Sequence, residues 1–219
     1  METVAPNEAR DAPGVVHPAL YNLLIGLLLS WGIGLSWLVV VSIDAAAIAF
    51  IDSWIVLIGF LAIGIVGANL VNSGAPVAIR FLGYTLLVLS FGLIVNDVVS
   101  DYDTRTVAQA ICVTACVTLG MAVLGTCYPT FFDHWIGAIL GAWLILFLTE
   151  LAMIVLLGSR RGEFDWMATA VICAFIGYEW SRAGRRPKTL GNAIHSAALL
   201  YLDMLQLFLR LLRIFGRRK

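Results

Sequence analysis

From Pro18 to Ile214 the chain is a succession of apolar segments, parted from one another by a few turn-forming or charged residues. A hydrocarbon layer of ~30 Å needs ~20 apolar residues per helical crossing. Backbone N–H and C=O groups placed there must be satisfied within the segment, which a helix does. The segmentation predicts seven helices at about Pro18 to Val41, Trp54 to Val71, Val77 to Ile94, Thr106 to Gly125, Trp135 to Leu157, Trp166 to Trp180 and Asn192 to Ile214. The breaks carry turn or charge signals: Asp44 and Asp52, Asn72 to Pro76, Asn96 to Arg105, Cys127 to Pro129, Gly158 to Gly162 and Ser181 to Lys188. With 61% hydrophobic and 13% charged residues and a mean hydropathy of +0.93, the chain falls outside the soluble norm. It reads as an all-α integral membrane protein with one transmembrane domain over residues 18–216 and a basic tail at 217–219. Residues 1–17 are polar, contain Pro6 and Pro13, and read as a disordered tail, since a cleavable signal opens with positive charge and an apolar run.

Charge placement bounds function and orientation. The formal net charge is zero, which removes any global argument for nucleic acid or another polyanion as partner. With seven spans, Arg10, Arg80, Arg182, Arg185, Arg186 and Lys188 fall on one side, and Arg105, Arg160, Arg161, Arg217, Arg218 and Lys219 on the other. Six basic residues a side leave the positive-inside rule undecided. The acids Asp44, Asp52, Asp97, Asp101 and Asp103 gather on the second side, and the expectation is a cytoplasmic amino terminus. The alternative is a last segment that dips in and returns, leaving both basic clusters cytoplasmic. Cys112, Cys116, Cys127 and Cys173 lie in apolar segments without a CxxC pair and are expected as small buried hydrophobes. Gly137 and Gly141 form a GxxxG, expected to serve internal bundle packing more than dimerisation.

The informative residues are acids inside apolar runs. Asp203 stands mid-way along AALLYLDMLQLFLRLL, and Glu179 stands 24 residues earlier on the preceding segment. Charge at bilayer depth costs a few kcal/mol or more, so acids that persist there face protein or a water-filled cavity and mark ion or proton pathways. Two carboxyl groups that meet in a poorly hydrated site cannot both ionise cheaply, and they share a proton. Fully ionised, they repel or recruit a hard cation such as calcium, which prefers carboxylate and carbonyl oxygens. One site would then answer to both pH and calcium. The competing reading has Glu179 reaching the interface beside Trp180 and Arg182. On the last segment Asp203, Gln206, Arg210 and Arg213 recur every three or four residues, a polar stripe expected to point inward. Glu150 is a third intramembrane acid, placed either to neutralise Arg210 or to add an oxygen to an ion path. Asp97, Asp101 and Asp103 form an acidic vestibule or an ordinary solvated loop. His195 reads as a packing residue, and no nucleotide-binding or HExxH motif occurs.

Tyr201-Leu202-Asp203 followed by LFLRLLRIFG resembles the carboxy-terminal helix of the Bax inhibitor-1 or TMBIM family. Tyr178-Glu179 stands where prokaryotic members have Tyr-Asp, the spacing to Asp203 agrees, and GYT at Gly83 to Thr85 and AVLGT at Ala122 to Thr126 extend the similarity. The resemblance implies six helices around a central seventh, and a pH-sensitive calcium leak whose sensor and tentative calcium ligands are Glu179 and Asp203. The chain departs from the pattern in three places. Glu replaces Asp at 179, Gln206 stands where Asn is usual, and Asn72-Ser73-Gly74 replaces the basic residue that latches the acids, with Arg80 the nearest substitute.

The expected function is a gated calcium leak with no catalytic activity and no cofactor beyond the ion, in the inner membrane of a bacterium, with lipid, calcium, protons and membrane proteins as partners. The alternatives are a non-conducting membrane regulator of stress or cell death acting through partner proteins, and an intramembrane aspartyl protease. Against the last, Asp203 lies in YLDM and not in the GxGD such proteases use.

Overall fold

A computed structural model describes residues 16–43, 53–157 and 163–216. Asp44, Asp52, Arg160, Arg161, Arg10 and the three basic residues of the tail fall outside them, as does most of the amino-terminal segment expected as a disordered tail. The described chain is all helical: α1 (Pro18–Ser42), α2 (Ser53–Asn72), α3 (Val77–Ser100), α4 (Thr104–Cys127), α5 (Pro129–Leu157), α6 (Glu163–Arg185) and α7 (Leu190–Phe215). Of these, α1, α3, α4 and α5 over Pro129–Met153 are long and apolar enough to cross a membrane.

The helix ends follow from local chemistry. The imidazole of His17 accepts from Ala19 N ahead of Pro18, which needs no N–H of its own at that position. Thr189 Oγ1 accepts from Asn192 N at 3.3 Å and opens α7. Within the helices, Ser30, Thr126 and Thr149 turn their hydroxyls back onto the carbonyls of Gly26, Ala122 and Ile145, which satisfies polar groups where water is absent. Several ends lie beyond the expected limits, chiefly those of α3, which continues to Ser100, α5, which starts at Pro129, and α6, which runs to Arg185. Asn96 does not break α3 because its amide donates to Ile43 O at 2.9 Å, a partner outside its own helix.

The distribution of exposure is that of a protein in lipid. Leu119, Val155 and Leu156 are 68%, 72% and 78% exposed, and Trp37 and Ile145 stand out similarly. In hydrocarbon, apolar side chains gain nothing by hiding from lipid, so small and polar groups take the helix contacts. The cysteines follow the same logic, and the expectation of burial is corrected. Cys112, Cys116 and Cys127 are exposed, Cys173 is half-buried, and all are free thiols. The chain is a multi-pass membrane protein.

Two compact units divide the residues, one holding 1–97 and 185–201, the other 98–184 and 202–219. In the first, Gly67 and Gly83 bring α2 and α3 into backbone contact: a Cβ on Gly83 would sit 2.5 Å from Leu70 Cβ and 2.8 Å from Gly67 O. Polar ties reinforce this unit. Tyr84 Oη donates to Leu28 O at 2.8 Å, Ser36 Oγ meets Tyr201 Oη at 2.7 Å, and the two tyrosine rings pack edge-on. In the second unit Gly125 of α4 lies against the backbone at Gly177 of α6, with Phe132 closing over Gly177. Trp180 Nε1 donates to Thr126 Oγ1 at 2.9 Å beside this crossing. The GxxxG expected to serve packing does not: Gly137 and Gly141 meet nothing within 4 Å. The spacing is there, but a side chain at either position would meet open space among the described residues.

One unbroken helix runs through α7, with Leu190, Gln206 and Phe215 as its exposed residues. A segment that dips in and returns as two arms would need a break, and α7 has none among its described residues.

Gly83→Val is expected to lower stability by about 1–3 kcal/mol through overpacking of α2 against α3, while Gly137→Ala and Gly141→Ala leave it within ~0.5 kcal/mol. Thermal unfolding of the detergent-solubilised protein, followed by intrinsic fluorescence, checks both.

Candidate functional site

The second unit contains the intramembrane acids. Glu179 lies on α6, six residues before its end at Arg185, and is 9% exposed. Its Oε1 stands 3.7 Å from Arg182 Nη1, one turn on, with the Arg182 side chain 48% exposed. Asp203 lies thirteen residues into α7. Its Oδ2 is buried with no hydrogen-bond partner among the described residues. Helical rise puts the two acids ~10 Å apart in depth measured from the connecting turn. Glu179 has the basic neighbour on its own helix that the competing reading gave it.

Further along α7 the structure builds a second charged centre. The Arg210 guanidinium forks onto Glu150 of α5, Nη1 to Oε1 and Nη2 to Oε2, the latter at 2.8 Å. The same Nη1 reaches Asp165 Oδ1 of α6 at 2.8 Å, and Arg213 reaches that oxygen through Nε at 3.2 Å and Nη2 at 3.1 Å. Two arginines and two carboxylates thus balance, with side-chain exposure of 14% for each acid and 18% for Arg210. A bidentate guanidinium–carboxylate pair is the strongest ion-pair geometry available to side chains. The centre also fixes topology locally, because the end of α5, the first turn of α6 and the end of α7 must lie at one level to meet.

Sequence reasoning named Glu150 and Arg210 but missed Asp165. The signal was present, an acid in the first turn of a helix whose partner helix ends in arginine. The expected span opened at Trp166, and this left Asp165 in the loop. The remaining candidates separate. Gln206 is exposed, so the α7 stripe is not turned inward along its whole length. Arg80, in the first unit, donates from Nε to Val71 O at 2.9 Å and lies against Gly191. Asp97 and Asp101 are exposed. Asp103 caps α4, accepting from the Thr106 hydroxyl and from Thr106 N at 3.3 Å. Among the described residues no group of three metal-ligating side chains converges.

A family model described as "Inhibitor of apoptosis-promoting Bax1" matches residues 16–219. The chain belongs to that family. No individually curated protein matches it. In this Bax inhibitor family member the match runs through both acids and the whole Arg210 centre.

Two outcomes are expected. Arg210→Ala is predicted to cost about 3–5 kcal/mol, because it leaves buried carboxylates uncompensated, while Arg182→Ala costs under ~1 kcal/mol; chemical denaturation in detergent compares them. The Thr106 hydroxyl, followed by backbone N–H groups, holds the Asp103 carboxyl below its ordinary value. A depressed folded-state pKa means that the cap is fully present above the unfolded carboxylate range, ~pH 4, and is lost as pH falls through the lower folded value. Amide exchange at Thr106 is expected to accelerate as pH drops through that window relative to distant amides, and Asp103→Ala is expected to abolish this relative acceleration.

Proposed function

We propose that this protein is a pH-sensitive calcium leak whose gate is the acid pair Glu179 and Asp203. The observation that carries the reading is Asp203 of α7, whose Oδ2 is buried with no hydrogen-bond partner among the described residues, with a second buried acid, Glu179, on the neighbouring helix. A buried carboxylate oxygen without a donor is costly, and either a proton or a hard cation relieves it. Protonation and calcium therefore compete for one position. When the pair shares a proton, the acids draw α6 and α7 together; when the proton leaves, repulsion or an incoming cation resets that packing. Glu179 adds reach: its extra methylene, relative to the Asp of related chains, helps span the depth difference.

In this reading the chain conducts and does not catalyse. Calcium is cargo and regulator, and no further cofactor takes part. The partners are the bilayer, calcium and protons, and nucleic acid is not among them. The protein resides in a bacterial inner membrane with its amino terminus cytoplasmic.

Calcium influx into proteoliposomes with a trapped indicator, measured across a pH series, tests the gate. Wild-type influx is expected to vary with pH. Asp203→Asn is expected to flatten the profile, and Glu179→Gln to shift it, each changing the rate by about tenfold near neutrality. Profiles of both variants that superimpose on wild type would remove the acid pair from gating, and a wild-type protein that never conducts would favour a regulator acting through partners.

A further inference from the structure

We propose that Arg210 is a tethered cation that closes the carboxy-terminal end of the α7 path, an autoinhibitory contact that rests on the reading of α7 as lining a cation pathway. One of its nitrogens, Nη1, bonds both Glu150 Oε1 and Asp165 Oδ1. Two carboxylate oxygens that reach a single nitrogen are spaced as they would be around one hard cation, whose ligand oxygens lie ~2.3–2.6 Å away. The chain fills that position with its own guanidinium.

The arrangement along α7 gives this a direction. Asp203 and Arg210 are seven residues apart, two turns or ~10.5 Å along one face. The first presents a buried oxygen without a donor, and the second is a cation already served by two acids. A simple structural ion pair would need one carboxylate for Arg210. Here both Glu150 and Asp165 converge on it, and Arg213 adds its charge to Asp165. A mobile cation that reaches Asp203 next meets a fixed positive charge. Removal of that charge leaves Glu150 without a counter-ion while Asp165 retains Arg213, so the vacated position becomes the next station for a cation.

The test uses two variants in the full-length protein. Arg210→Gln vacates the position and leaves Glu150 ionised. Arg210→Gln/Glu150→Gln vacates it with no uncompensated charge, since the Asp165–Arg213 pair is kept, and serves as the folded variant if the single one does not accumulate. In phosphatidylcholine–phosphatidylglycerol vesicles with a trapped calcium indicator, either variant is expected to raise influx about tenfold over wild type. Wild-type influx from the monodisperse double variant overturns the proposal. Calcium titration of the detergent-purified proteins provides an arm independent of conduction: Arg210→Gln is expected to bind about one calcium ion per chain more than wild type, a gain absent from the double variant. Equal stoichiometry in folded Arg210→Gln and wild type also overturns the proposal. A wild-type protein whose influx ignores Asp203→Asn sinks the acid-pair gate instead, and the binding arm separates that result from failure of the tethered cation.

Discussion

A guanidinium placed within an apolar helix must have an anion at hand, and in this protein that requirement fixes where three helices end. Arg210 is held by Glu150 of α5 and Asp165 of α6, so α7 cannot slide along its neighbours without breaking several charge-assisted bonds together. Breaking them one at a time exposes a bare charge, which is far more costly than the net worth of the assembled set. The centre therefore contributes more to register and direction than to raw stability. With α7 clamped there, the depth of Asp203 relative to α6 is fixed.

Backbone contact at glycine supplies the complementary constraint. Gly67 against Gly83, and Gly125 against Gly177, bring helices close without side chains between them. In lipid the hydrophobic effect does not drive helices together, so close approach and buried polar bonds have to supply the association. The Tyr84, Ser36 and Tyr201 ties and the Trp180–Thr126 bond play that part beside the glycine crossings.

The helices were legible because apolar runs of span length leave few alternatives, although α6 runs on to Arg185 through the charged stretch expected to end it. Asp203 and Glu179 were legible for the opposite reason, as polar residues where polarity is costly. What stayed hidden depended on the partner across the gap. Asp165 looked like a loop residue until α5 and α7 were placed beside it. Gly67 and Gly83 carry no motif, whereas Gly137 and Gly141 carry one and touch nothing. The cysteines were misjudged because burial statistics drawn from water-soluble proteins invert where the surroundings are lipid. The acids near the third connection could not be resolved from sequence either, since capping by Asp103 depends on the turn that Thr106 begins.

Past Gly191, α7 contains neither glycine nor proline up to Phe215. Such a rod has no joint at which bending or unwinding can be absorbed. Asp203, Arg210 and Arg213 are therefore carried on one stiff shaft, and their spacing along it is set by an uninterrupted backbone.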